Sequence, residues 1–278
     1  MSTLNYKGIK YTHEEFHEVN DSLVVEGSLK IFINGEVFTI TMRCPGNDEE
    51  LVRGLLFTED VYKDKNENPV IEILKKDNLD HPVEVNVKIN PEKIRDNYLN
   101  KRNLLSVTSC GICGKTELED LHNTSHASVL SSAQLDPALV GKMFDSMNSR
   151  QSTFKQSGGS HASAAFTLHG ELLSLQEDIG RHNAVDKVIG DLLIGKKLNE
   201  AKCLIVSGRI SYEIVSKCFI AGIPFLASVS APSSLAVDFS KELGITLMAF
   251  CRNNYFTVYS HPEKIKDLKE NNNWLKAI

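Results

Sequence analysis

Cys110 and Cys113 are the residues best placed to do chemistry. They form a C-x-x-C in Ser109-Cys-Gly-Ile-Cys-Gly114, with one glycine inside the pair and one directly after it. Three chemistries suit such a pair. A structural zinc site needs four ligands, usually from a second C-x-x-C or a His pair. No second C-x-x-C exists, and His122 and His126, spaced i, i+4, would complete only a compact, untypical set in polar sequence. A thioredoxin-like dithiol belongs at a helix N-terminus directly after a core strand, whereas Ser106-Val-Thr-Ser109 precedes this pair and a glycine and polar residues follow it. The third chemistry is a thiolate on a flexible arm that accepts and donates sulfur. Gly111 and Gly114 leave the sulfur exposed and the backbone mobile, and the charge of Lys115 favours the thiolate. A carrier must visit a donor and an acceptor, so mobility serves it, and this reading is favoured over incidental loop thiols. Cys44, Cys203 and Cys218 read as small structural residues.

A second group of residues suits an anion. Glu177-Asp-Ile-Gly-Arg-His-Asn183 runs into a helical pattern, Ser207-Gly-Arg-Ile-Ser211 lies between a buried strand and a helix, and Phe250-Cys-Arg-Asn-Asn254 follows a later strand. Ligands of open α/β sheets bind beyond the carboxyl ends of the strands, where helix N-termini offer unpaired N–H groups and the positive end of the dipole. The arginine fork pairs two phosphate oxygens. Arg181, Arg209 and Arg252 are therefore expected to converge on an anionic ligand, although any one of them alone is more commonly a solvated surface residue. Ser157-Gly-Gly-Ser-His161 is a fourth candidate, because its glycines allow close backbone approach. His161 and His182 read equally well as ligand contacts or as satisfied structural histidines.

The elements that would position these residues are legible in outline. Residues 1–100 read as β-rich: Leu29 to Ile33 and Val37 to Met42 flank Asn34-Gly35, a hairpin turn. Asn47 with Glu50 resembles a capping box for a short helix. Val83, Val85, Val87 and Ile89 alternate with polar residues as in a half-buried strand. Tyr62 to Asn68 reads as a surface loop. Residues 101–134 read as a mobile loop carrying the cysteine pair. In 135–278, Asp136-Pro137 opens a helix with Leu139, Val140, Met143, Phe144 and Met147 on one face. A hairpin follows, Ala162 to Leu168 and Glu171 to Gln176. Helices over 184–194, 211–221 and 234–243 then alternate with strands over 203–206, 225–229 and 245–250. The alternation predicts an α/β layer structure.

The chain has 278 residues, enough for one large domain or two small ones, and a net charge of −5, which argues against a nucleic-acid footprint. Met1 to Glu15 carries no apolar stretch of the secretory kind, and no run of about eighteen apolar residues occurs, so no membrane span is expected. A cytoplasmic, reduced setting follows for the six cysteines.

Several long motifs in order resemble the formate dehydrogenase accessory sulfurtransferase family, FdhD/NarQ. They are Ser109–Gly114, Gly158-Gly-Ser-His-Ala162, Glu177-Asp-Ile-Gly-Arg-His-Asn-Ala-Val-Asp-Lys187, Ser207–Ser211 and Ala231-Pro-Ser-Ser-Leu-Ala236. The resemblance implies a sulfur carrier that receives sulfane sulfur from a cysteine desulfurase as a persulfide. Cys110 would be the carrier, and Cys113 would assist. The acceptor would be the molybdenum bis(molybdopterin guanine dinucleotide) cofactor, for the benefit of formate dehydrogenase. The cofactor-binding stretch would be Phe250, Cys251, Arg252, Asn253, Asn254 and Tyr255, alongside Arg181, His182, Arg209 and His161. The resemblance also implies a homodimer and a cytidine-deaminase-like α/β/α domain over 135–278, beside the smaller β-rich unit. Arg181-His-Asn183 and Ser207–Ser211 stand where those deaminases carry zinc ligands and a catalytic Glu, so neither deamination nor a resident metal is expected. The alternative is a non-catalytic chaperone that shelters the cofactor.

Overall fold

The computed structural model describes residues 2–94, 133–253 and 255–267. Cys110, Cys113, Asn254 and nearly all of the segment predicted as a loop lie outside them. The chain opens with β1 (Thr3–Thr12) and β2 (Glu15–Val24), paired along their whole length in a two-stranded ribbon. Most of the ribbon is solvated, and its apolar residues stay exposed, Ile9 at 75% and Phe16 at 74%.

The predicted hairpin is β3 (Gly27–Ile33) and β4 (Glu36–Arg43), turning at Asn34 (φ 51°) and Gly35 (φ 87°). Helix α1 (Asp48–Thr58), β5 (Val70–Lys76) and β6 (Pro82–Lys88) complete a four-stranded sheet of order β4-β3-β6-β5. Its inner face, with Leu29, Ile31, Ile33, Val85 and Val87, buries Leu51, Val52 and Leu56 of α1. The capping box does not form. Asn47 adopts the left-handed region (φ 53°, ψ 39°) and makes no side-chain cap. Its amide is drawn instead to the Gln176 side chain in the other sheet. The segment after α1 is also less superficial than its polarity suggests: Tyr62 is 1% exposed, with the Arg53 guanidinium 5.2 Å above its ring.

The rest of the chain builds α2 (Pro137–Arg150), α3 (Ser152–Ser157), β7 (His161–Phe166), β8 (Leu172–Asp178), α4 (Arg181–Ile194), β9 (Cys203–Val206), α5 (Tyr212–Ala221), β10 (Phe225–Ser228), α6 (Ser234–Glu242), β11 (Thr246–Arg252) and β12 (Tyr255–Val258). Asp136 caps α2 through Ala138 N at 2.9 Å, with Pro137 in the first turn. The six-stranded sheet runs β12-β11-β10-β9-β7-β8, with β9, β10 and β11 mutually parallel. Both faces are covered, so the central strands are apolar throughout rather than alternating. Leu204, Val206, Leu226 and Leu247 meet α4, α5 and α6. Cys203, Ile205, Phe225, Ala227 and Met248 meet Val140, Met143, Phe144 and Met147 of α2. Cys203 and Cys218 are core residues, at 2% and 0% exposure. The fold is mixed α/β, as predicted. Among the described residues no helix is long and apolar enough to cross a membrane.

Candidate functional site

One end of the six-stranded sheet gathers the predicted anion residues. The parallel strands β9, β10 and β11 end there, β8 ends there beside the start of β7, and α4, α5 and α6 begin there. The loop from β9 to α5 is tightly held. Ser207 N donates to Ala162 O at 2.9 Å and Ser207 Oγ accepts from Ala162 N at 2.9 Å. Ser228 Oγ donates to Gly208 O at 2.6 Å, and Ile210 bridges to the 231–233 segment through two backbone hydrogen bonds.

Gly208 brings two sequence candidates together. A Cβ placed on it would lie 3.2 Å from His161 Nδ1 and 3.4 Å from Arg181 Cβ. The absence of a side chain is what lets the backbone lie between them. Arg209, next in sequence, is exposed. Burial, then the charges of Arg181 and Arg209, hold the His161 pKa below its ordinary value. At neutral pH the site therefore presents two cations around a neutral imidazole. Arg181 Nε is buried and has no hydrogen-bond partner among the described residues. Such a donor is costly to leave unpaired, and an anion seated here would satisfy it.

His182 plays another part. Its Nε2 lies 3.3 Å from Ser211 Oγ, linking the first turn of α4 to the N-cap of α5. Burial, followed by the charges of Lys217 and Arg181, lowers its pKa to about 4. It is a neutral tie between two helices.

Of the predicted 250–255 stretch, Phe250 to Arg252 end β11 and Tyr255 opens β12. Phe250 has φ 55° and its N–H donates to Ser230 O at 3.3 Å. Arg252 is exposed, and its Nε donates to Val229 O at 3.3 Å. Asn253 has φ 48° and Tyr255 is 78% exposed. Cys251 points the other way, into the apolar cluster beneath α2, and burial pushes its thiol up to about 12. It is not a reactive thiolate. Arg181, Arg209 and His161 thus form one cluster, and Arg252 stands on the same sheet end beside β10.

Two buried ionic groups went unnoticed in the sequence. Asp178 pairs with Lys187 at 2.7 Å, with both side chains almost fully buried. Lys217 Nζ donates to Thr58 Oγ1 at 2.9 Å, to Glu59 Oε1 at 2.8 Å and to Asp186 Oδ1 at 3.0 Å. Two carboxylates keep that ammonium charged despite its burial. The signal for the first group was available: Asp178 and Lys187 flank the Gly180–Asn183 motif, and Lys187 lies on a helix that is otherwise largely buried. Among the described residues no group of three or more His, Cys, Asp or Glu is arranged to hold a metal.

The model of the FdhD/NarQ family matches residues 24–266. Similar proteins named as the sulfur carrier protein FdhD occur in Sulfolobus acidocaldarius, 41% identical over 88% of this chain and 91% of the relative, and in Thermoplasma acidophilum, 41% identical over 90% and 89%. Another, from Streptomyces avermitilis, is 39% identical over 88% of this chain and 89% of its own. A crystal structure named for a formate dehydrogenase accessory protein of Desulfotalea psychrophila superposes with a TM-score of 0.74 at 25% identity, covering 95% of this chain and 100% of that one.

Proposed function

The chain belongs to the FdhD/NarQ family, and on that footing we propose that it is a sulfur carrier serving formate dehydrogenase. It takes sulfane sulfur from a cysteine desulfurase onto Cys110 and delivers it to a molybdenum bis(molybdopterin guanine dinucleotide) substrate. The observation that carries the acceptor half is the cluster of Arg181, Arg209 and neutral His161, in which the buried Arg181 Nε has no hydrogen-bond partner among the described residues. Two cations and helix N-termini at the ends of parallel strands suit a pyrophosphate. The larger sheet with its helices is of the cytidine deaminase type in this reading. Arg181-His182-Asn183 and Ser207–Ser211 stand in place of its metal ligands, which makes the fold a nucleotide binder without the hydrolytic centre.

The loading step is a thiol exchange. The Cys110 thiolate attacks the terminal sulfur of the desulfurase persulfide, a new S–S bond forms as the old one breaks, and the desulfurase cysteine leaves as thiolate. Releasing that sulfur as sulfide takes two electrons. Attack of the Cys113 thiolate on Cys110 Sγ supplies them, expels sulfide toward the molybdenum and leaves a Cys110–Cys113 disulfide for an external thiol to reduce. We place this chemistry in the cytoplasm, on a homodimer.

Intact-protein mass spectrometry after incubation with a cysteine desulfurase and cysteine tests the carrier half. The reading expects a gain of about 32 Da that thiol reductant removes and that peptide mapping locates on Cys110. Cys113→Ala retains the gain but releases sulfide only when an external thiol is added. No gain on the wild type, with a competent desulfurase, sinks the carrier and leaves a cofactor-sheltering chaperone. In that case Cys110→Ala would still rescue formate dehydrogenase.

A further inference from the structure

Asp178 is fully buried, yet three separate segments converge on it. Its Oδ1 accepts from Gly180 N at 2.8 Å and from Asn183 Nδ2 at 3.1 Å. Its Oδ2 accepts from Cys44 N at 3.1 Å and lies 2.7 Å from Lys187 Nζ. Lys187 also donates to Cys44 O at 2.9 Å. Asn183 donates to Met42 O at 2.7 Å and accepts from Thr41 Oγ1 at 3.3 Å. One carboxylate and one amide therefore join the end of β8, the first turn of α4 and the connection from β4 to α1.

The residues strung between Asp178 and Asn183 are Ile179, Gly180, Arg181 and His182, and the register partner of Asp178 on β7 is His161. The anion cluster is thus built on the turn that these two residues brace from behind. A buried carboxylate stripped of its partners is costly, so its contacts hold together as a set. An arginine reaches an anion productively only when its backbone is fixed to within about half an ångström. Arg181 and His182 lie in the first turn of α4, where the backbone N–H groups have no intrahelical acceptor to fix them, so the bracing contacts supply that precision.

We infer that Asp178 and Asn183 are positioning residues of the anion site, and that through them the β4–α1 connection of the first sheet sets the placement of Arg181. This rests on reading that cluster as the seat of a guanine-nucleotide pyrophosphate.

Calorimetric titration of the full chain with GDP tests it. Asn183→Ala weakens GDP binding by about tenfold, the scale on which outer partners of ligand-binding side chains act. Thr41→Val, a change in the other sheet, weakens it by a few-fold. Leu192→Ala, a core change on α4 away from the turn, lowers thermal stability but keeps the wild-type affinity. The inference is overturned if both polar variants bind GDP as the wild type does, or if Leu192→Ala loses as much affinity as they do. A wild type that binds no GDP overturns the nucleotide reading and this inference with it. If Asn183→Ala does not fold, the Thr41→Val titration decides.

Discussion

Gly54 and Gly190 meet where α1 crosses α4, with no room for a side chain on either. A Cβ at Gly54 would lie 1.8 Å from Asp186 O, and one at Gly190 would lie 1.8 Å from Glu50 O. These distances end on helix backbone, which cannot yield as a flexible side-chain tip can. Gly54→Ala or Gly190→Ala must push the helices apart and disturb the Thr58–Asp186–Lys217 contacts beside the crossing. We expect each to cost about 3 kcal/mol or more, read as a lowered urea midpoint. A midpoint within error of the wild type would mean that the helices separate freely.

The arginines are separable by the partners they already have. Arg181→Ala and Arg209→Ala should each weaken GDP binding by about ten- to a hundredfold, the value of a hydrogen-bonded charge on an anion. They should also flatten its dependence on salt concentration. Arg252 already spends its Nε on Val229 O, so Arg252→Ala should cost less. Arg181→Lys should not restore the affinity, because a single ammonium lacks the planar fork. Equal losses at all three positions would argue for a diffuse positive field instead of a built site.

His182 gives stability a defined dependence on pH. Its pKa falls from an ordinary 6.5 to about 4 in the folded chain, so the folded state binds fewer protons than the unfolded one. The contribution is complete above about pH 6.5 and is lost as pH falls toward 4. It amounts to about 3 kcal/mol, and burial of His161 acts in the same direction. Urea unfolding between pH 4 and pH 7.5 should show stability rising with pH, with a shallower slope in His182→Asn. A slope unchanged by that substitution would place the proton elsewhere.

Much of the larger sheet could be read from the sequence because its signals are local. Cys203–Val206 is a strand within its predicted bounds, and Asp136-Pro137 caps the helix it announces. Where reading failed, distant partners decided. The Asn47 cap gave way to Gln176, which lies 129 residues on. Helix α4 begins at Arg181, three residues before its apolar pattern, because Gly180–Asn183 is pinned by Asp178 and Met42. The short strand β12 went unseen, its first residue Tyr255 read only as part of a ligand-binding sequence. The ribbon of β1 and β2 was read only as part of the β-rich first hundred residues, because its apolar residues face solvent and trace no core. In the anion cluster, the arginines stood out through the glycines and serines beside them. The residues that brace them did not, since Asp178 meets Cys44 across 134 positions.

That last distance has a consequence during synthesis. Helix α1 rests on the first sheet but completes its packing only once α4 exists, and 136 positions of chain separate Gly54 from Gly190. At ribosomal speeds of about 5–20 residues per second, the wait is roughly 7 to 27 seconds. Through that interval the glycine face of α1 has nothing to close against, and Cys44 has no carboxylate to receive its amide. The first sheet leaves the ribosome as an unfinished surface that only the second half of the chain can close.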